Sequence, residues 1–174
     1  MSTELSDSVI IKLVLNGNQQ AYALLVNRYQ QYVFTLVLRM VKSREEAEEV
    51  AQDVFIKAYR ALASFNGESK FSTWLYTITH NTSLSFLRKK KVVIHSLDNE
   101  TVMVEADSKD SGMEANLVEQ KSKSQMLDKA IALLSADDAH LISLFYKAEQ
   151  SLEEIGQILG IECNGVKVRL VRAR

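Results

Sequence analysis

Proline is absent from the sequence, glycine occurs only six times in 174 residues, and cysteine occurs once. β-rich folds spend glycine and proline on their turns, so this scarcity favours an all-α chain with short connections. The lone Cys163 excludes an internal disulfide and argues against a cysteine-based metal site. A reducing cytoplasm is the expected compartment. The opening residues, MSTELSDSVIIKLVLNGNQQ, lack the basic start and long apolar run of a signal peptide. No apolar stretch approaches the ~20 residues that span a bilayer, so no membrane insertion is expected of the chain itself. Neither a G-x-x-x-x-G-K-[ST] nor a G-x-G-x-x-G loop is present, which leaves nucleotide binding without support. The three histidines, His80, His95 and His140, are far apart in sequence. Asp137-x-x-His140 has helical metal-pair spacing, but a di-metal bundle needs two Glu-x-x-His pairs and further glutamates. Ser83 and Cys163 have no histidine that the sequence places beside them as a base. No catalysis, cofactor or metal is therefore expected.

What is present is ordinary in amount and uneven in placement. The chain is 47% hydrophobic and 25% charged, with a formal net charge of −1. Residues 1–90 hold eleven Lys/Arg against eight Asp/Glu, residues 91–115 two against six, and residues 116–174 eight of each. Periodicity also stops over residues 92–115, which include HSLDNETVMVEADSKDSGME, and the Val92–Ile94 patch before it is too short for a sheet. The expected architecture is all-α, with two small helical domains (1–91 and 116–174) joined by a flexible acidic linker over 92–115.

The richest stretch runs from Arg44 to Lys91. Ala47, Val50, Ala51, Val54, Ala58 and Ala61 recur at three- and four-residue spacing and define one helix face. Glu45, Glu49 and Asp53 stack on another. Ser43 with Glu46 reads as a capping box at its start. A polar loop with Asn66-Gly67 at its centre follows, flanked by Phe65 and Phe71. The next helix carries Trp74, Tyr76 and Asn81 and ends in Arg88-Lys89-Lys90-Lys91. Aromatic rings beside a polar loop and a basic helix end suit single-stranded nucleic acid, where bases stack on rings and cations hold phosphates. Core packing competes as an explanation of Phe71, Trp74, Leu75 and Ile78, which also sit at helical spacing.

Upstream, Ser6-Asp7-Ser8 caps a helix over about 9–15, and a second helix starts near Asn18. Its stripe, from Ala21 and Leu25 to Val37 and Met40, is broad enough to meet more than one neighbour. Tyr22, Tyr29, Tyr32 and Phe34 could touch nucleic acid, but helix packing accounts for them more simply. Downstream, periodicity from Glu114 to Leu134 gives one helix and Ser135-Ala136-Asp137-Asp138 starts another. Ser151-Leu-Glu-Glu carries a capping signal, Gly160 stands at a helix C-terminus, and a basic helix runs from about Asn164. Helix, short turn, basic helix is the arithmetic of a helix-turn-helix. Its last eight residues hold four cations and no acid.

Read without any relative, these residues fit a helix-turn-helix regulator with a sensing domain or a protein-binding adaptor. The quoted stretches also resemble a family, which adds a third and favoured reading, a promoter-specificity subunit of RNA polymerase. EEAEEVAQDVFIKAYRAL, then F-x-G-E-S-x-F-x-T-W-L-Y-x-I-x-x-N and a basic run, resemble region 2 of bacterial sigma factors of the extracytoplasmic-function (ECF) kind. S-L-E-E-I-G-Q-I-L-G-I followed by V-K-V-R-L-x-R-A-R resembles region 4 of the same family. The resemblance implies that domain 1 binds polymerase core (beta and beta-prime subunits) through Glu49, Gln52, Asp53, Ile56 and Arg60. It implies that Phe65, Asn66, Lys70, Phe71, Ser72, Trp74, Asn81, Arg88, Lys89 and Lys90 read and melt the minus-ten element. It implies that Asn164, Gly165, Lys167, Val168, Arg169, Arg172 and Arg174 read the minus-thirty-five element. Promoter DNA and an anti-sigma factor are the further partners implied.

Overall fold

A long central helix organises the molecule, because its apolar residues surround more than half of its circumference. The computed structural model describes residues 5–97, 131 and 134–173. The first helix, α1 (Asp7–Leu15), starts after extended Ser6, and the Asp7 carboxylate ties back to Arg28 and to the Tyr29 hydroxyl. Asn18 accepts from the Ala21 amide and closes a single 3₁₀ turn, Gln19–Ala21. The central helix α2 (Tyr22–Val41) follows and stops where Lys42 adopts a left-handed φ of 65°. It packs against α3 (Arg44–Ala61), α4 (Phe71–Leu97) and α5 (Ala136–Tyr146), burying Leu25, Val33, Leu36, Val37 and Met40. The broad stripe expected from sequence is thus used on three sides.

Half of the expected capping box forms at α3. The Glu46 amide donates to Ser43 Oγ at 3.4 Å, while the Glu46 carboxylate turns outward to pair with Lys90. A full box caps α6 (Leu152–Leu159): Ser151 and Glu154 each accept from the other's backbone amide. Gly160, at φ 66°, turns the chain into α7 (Cys163–Ala173). The two helices approach so closely that a Cβ on Gly156 would lie 2.8 Å from the Ile161 carbonyl oxygen.

Helix α4 buries hydroxyl residues whose oxygens are satisfied within the helix. Thr79 and Ser83 are fully buried, and their hydroxyls donate to the Leu75 and Thr79 carbonyls at 2.9 Å. This helix also corrects the expected boundary at residue 92, since it continues to Leu97. Nothing between Arg88 and Leu97 breaks a helix. Adding a residue to an existing helix gains a hydrogen bond at little cost, which outweighs the β-preference of Val92–Ile94. The remainder of the expected linker, and most of the helix expected over 114–134, lie outside the described residues.

The two lobes form one continuous hydrophobic cluster. Helix α5 lies on α2 and α6 lies on α4, so the helix-turn-helix lobe rests against the first lobe.

Candidate nucleic-acid interface

The acidic face of α3 is presented as a strip. Glu49, Gln52, Asp53, Ile56 and Arg60 are all exposed, while Ala47, Val50, Val54 and Ala58 on the opposite side are buried. Ile56, 48% exposed, is an apolar residue standing in this polar strip. Beside it, α2 and α3 form a groove lined by Gln30, Gln31, Phe34, Gln52 and Phe55. Tyr22 and Tyr59 meet edge to face at 5.0 Å, and Tyr22 donates to the Phe55 carbonyl at 2.8 Å. Burial, with Tyr59 adding to it, pushes the Tyr22 hydroxyl up to about 12. This aromatic rim was not singled out from sequence as part of the strip. Its signal was the pairing of Tyr22 and Phe34 on one helix with Phe55 and Tyr59 on the next, which only packing brings together.

The loop before α4 is built on rings. Phe65, Phe71 and Trp74 lie 5.4–5.7 Å apart in tilted and edge contacts. Phe71 is only 4% exposed and also meets Tyr29 at 5.5 Å. The expectation that Phe71 touches DNA is therefore corrected: it is core, and a ring this buried among Tyr29, Phe65 and Trp74 leaves no room for a base. Phe65 and Trp74 stay half-buried. Gly67 turns the loop at φ 76°, and the Asn66 side chain accepts from the Glu68 amide at 3.2 Å. Ser72 is half-buried and Asn81 exposed, two turns along α4 from Trp74. Arg88, Lys89 and Lys90 are exposed, with Lys90 held by Glu46 of α3. Lys70 is engaged differently, pairing at 2.9 Å with Glu154 of α6.

Helix α7 is seated by Val166 and Leu170, both buried. Its other face exposes Asn164, Lys167, Arg169 and Arg172, with Val168 and Val171 between the cations. Gly165 is half-buried, turned toward Ile161 rather than outward. Arg174 lies outside the described residues. An exposed basic face on the second helix of a helix-turn-helix is the geometry that enters a major groove. Among the described residues no group of three or more metal-ligating side chains converges, and no helix is long and apolar enough to cross a membrane.

The arrangement defines a class: an all-α protein with a helix-turn-helix lobe and a second lobe carrying an acidic strip and a basic helix end. Comparison with known proteins narrows it. Residues 25–92 match the model of sigma-70 region 2, and residues 124–174 match that of sigma-70 region 4. The chain is 36% identical over 179 residues to the ECF RNA polymerase sigma-E factor of Escherichia coli K12, covering all of this chain and 93% of that protein. It is 39% identical over 170 residues to the ECF sigma factor SigW of Bacillus subtilis, covering 94% and 90% of the two chains. Among solved structures, the sigma factor RpoE of Bartonella quintana, in complex with the anti-sigma factor NepR, superposes with a TM-score of 0.69 at 27% identity. That match covers 86% of this chain and 89% of the other. The chain belongs to the ECF group of the sigma-70 family, whose members associate with RNA polymerase and direct promoter-specific initiation of transcription.

Proposed function

We propose that this chain directs initiation by dividing three tasks among three surfaces. The exposed strip of α3, with the aromatic groove beside it, docks on polymerase core. Phe65 and Trp74, with Asn66, Lys70, Ser72, Asn81 and the basic end of α4, take the minus-ten element, and the basic face of α7 takes the minus-thirty-five element. The observation that carries this reading is the exposure of both cation sets on helices whose opposite faces are anchored in the core. A rigid helix places phosphate contacts, and hence register, without ordering cost. Extraction of a base from the stack costs a few kcal/mol, which a pocket beside Phe65 and Trp74 would offset. The chain itself performs no chemistry in this scheme, works in the cytoplasm, and is held in check by an anti-sigma factor. RpoE, captured with such a factor, lends support to that last point.

Run-off transcription with polymerase core across a promoter library tests the proposal. Transcripts should depend on both the added chain and a matched pair of promoter elements. Core activity that is indifferent to the chain would reject the assignment.

A further inference from the structure

The helix-turn-helix lobe rests on residues assigned to the minus-ten face. Lys70 pairs with Glu154, and Thr73 donates to Gln150 at 3.2 Å in a buried contact. Ser72 and Trp74 flank Thr73. Deeper in the same contact, His80 of α4 and His140 of α5 stack with ring centroids 5.1 Å apart and planes 29° apart. His140 is fully buried, the Leu36 backbone approaches its ring at a geometry too poor to count as a full hydrogen bond, and His80 Nδ1 is also buried and unpartnered among the described residues. A buried imidazole pair so poorly satisfied is a costly choice for a static interface.

We propose that this contact is an autoinhibitory latch released by protons: the helix-turn-helix lobe covers part of the minus-ten face, and charging of the His80–His140 pair separates the lobes. The proposal rests on the assignment of the minus-ten face made above.

The groups facing the pair account for its direction. From α5 comes the Asp137 carboxylate, from α7 the Arg169 guanidinium, and from α6 only Leu159, all lining one small pocket with His80. Helix α2 presents the Leu36 backbone, with Arg39 one turn further along. A single carboxylate thus faces His80 beside a guanidinium, and His140 behind it has no acid acting on it among the described residues, so a charged pair would be poorly balanced. Burial, with His80 adding to it, pushes His140 down to about 3 against a weaker pull from Leu36. Burial also lowers His80, with Asp137 opposing. Separated lobes would return both rings to an ordinary value of about 6.5. Protons then favour the separated form below that value, so the latch is complete above about pH 6.5 and is lost as pH falls. For His140 alone, the step from pH 7.5 to 5.5 favours opening roughly tenfold. Glu154, which burial raises but hydrogen bonds from Ser151 and Lys70 hold below the usual carboxylate range, stays ionised through that step, so the Lys70 pair does not mimic the effect.

The test uses the full chain at pH 7.5 and 5.5 with two readouts. Energy transfer between dyes at Cys163 and at an introduced Ser85→Cys reports lobe separation without DNA. Anisotropy of a labelled single-stranded minus-ten oligonucleotide reports access to the face. In the wild type the separated fraction should grow about tenfold or more at pH 5.5, and oligonucleotide binding should tighten in step. The His80→Met/His140→Met chain should lose both responses. If His140→Met prevents folding, His80→Met alone, at a half-buried position, should still weaken them. Energy transfer that ignores pH, or that responds equally in wild type and variants, overturns the latch. Lobes that separate on schedule while no oligonucleotide binds would keep the latch and reject the minus-ten assignment instead.

Discussion

Gly156 shows how one residue fixes the geometry of a DNA-reading lobe. A methyl group there would meet the Ile161 carbonyl oxygen at 2.8 Å, and backbone cannot swing aside as a flexible side chain can. Gly156→Ala should cost about 1–3 kcal/mol of stability through overpacking. Urea unfolding would measure it, and an unchanged midpoint would mean that α6 and α7 are less tightly joined than described. On the minus-ten side, Asn81 and the Lys89–Lys90 pair are exposed together but have different chemistry. An amide can read a base edge, whereas an ammonium reads only charge. Asn81→Ala should alter base preference across a promoter set, while Lys89→Ala/Lys90→Ala should weaken all promoters about equally and flatten the salt dependence. Parallel changes in base preference from both variants would remove this division. Several of these residues were legible in sequence because their signals are local: Ser151 with Glu154, and Gly160 at a helix end. Phe71 was not, because an aromatic beside a polar loop looks the same whether its ring faces solvent or Tyr29.

The helices are where composition becomes surface. Helix α3 separates a buried row of small apolar residues from an exposed acidic strip, so the face opposite the core is left open for the docking proposed above. Reversing Asp53 to Lys should leave helicity intact and slow association with polymerase core, with an altered salt dependence, because rim charges act chiefly on encounter. Identical binding curves across a salt series would exclude this strip from the interface. The end of α4 carries a different lesson. A residue-by-residue preference for strand at Val92–Ile94 is overridden by the helix already formed before it.

At the scale of the whole molecule the lobes meet, and the Lys70–Glu154 pair makes that meeting measurable. A zero-length carbodiimide coupler should join these two side chains, 2.9 Å apart, in the free chain. Peptide mass spectrometry should find the link, and bound polymerase core with promoter DNA should abolish it if the minus-ten face is then occupied. A link that persists undiminished in the initiation complex would mean that this contact is compatible with promoter binding. By itself the sequence determined the all-α class, the Ser151 cap and Gly160 turn, the basic and acidic faces and the family, because each depends on spacing within a few turns of chain. Only the tertiary structure decided that α2 is buried on three sides, that Phe71 is core, and that His80 and His140 share a contact. Those outcomes arise from packing between residues tens of positions apart, where the hydrophobic effect is set by which surfaces fit together and carries no local signature.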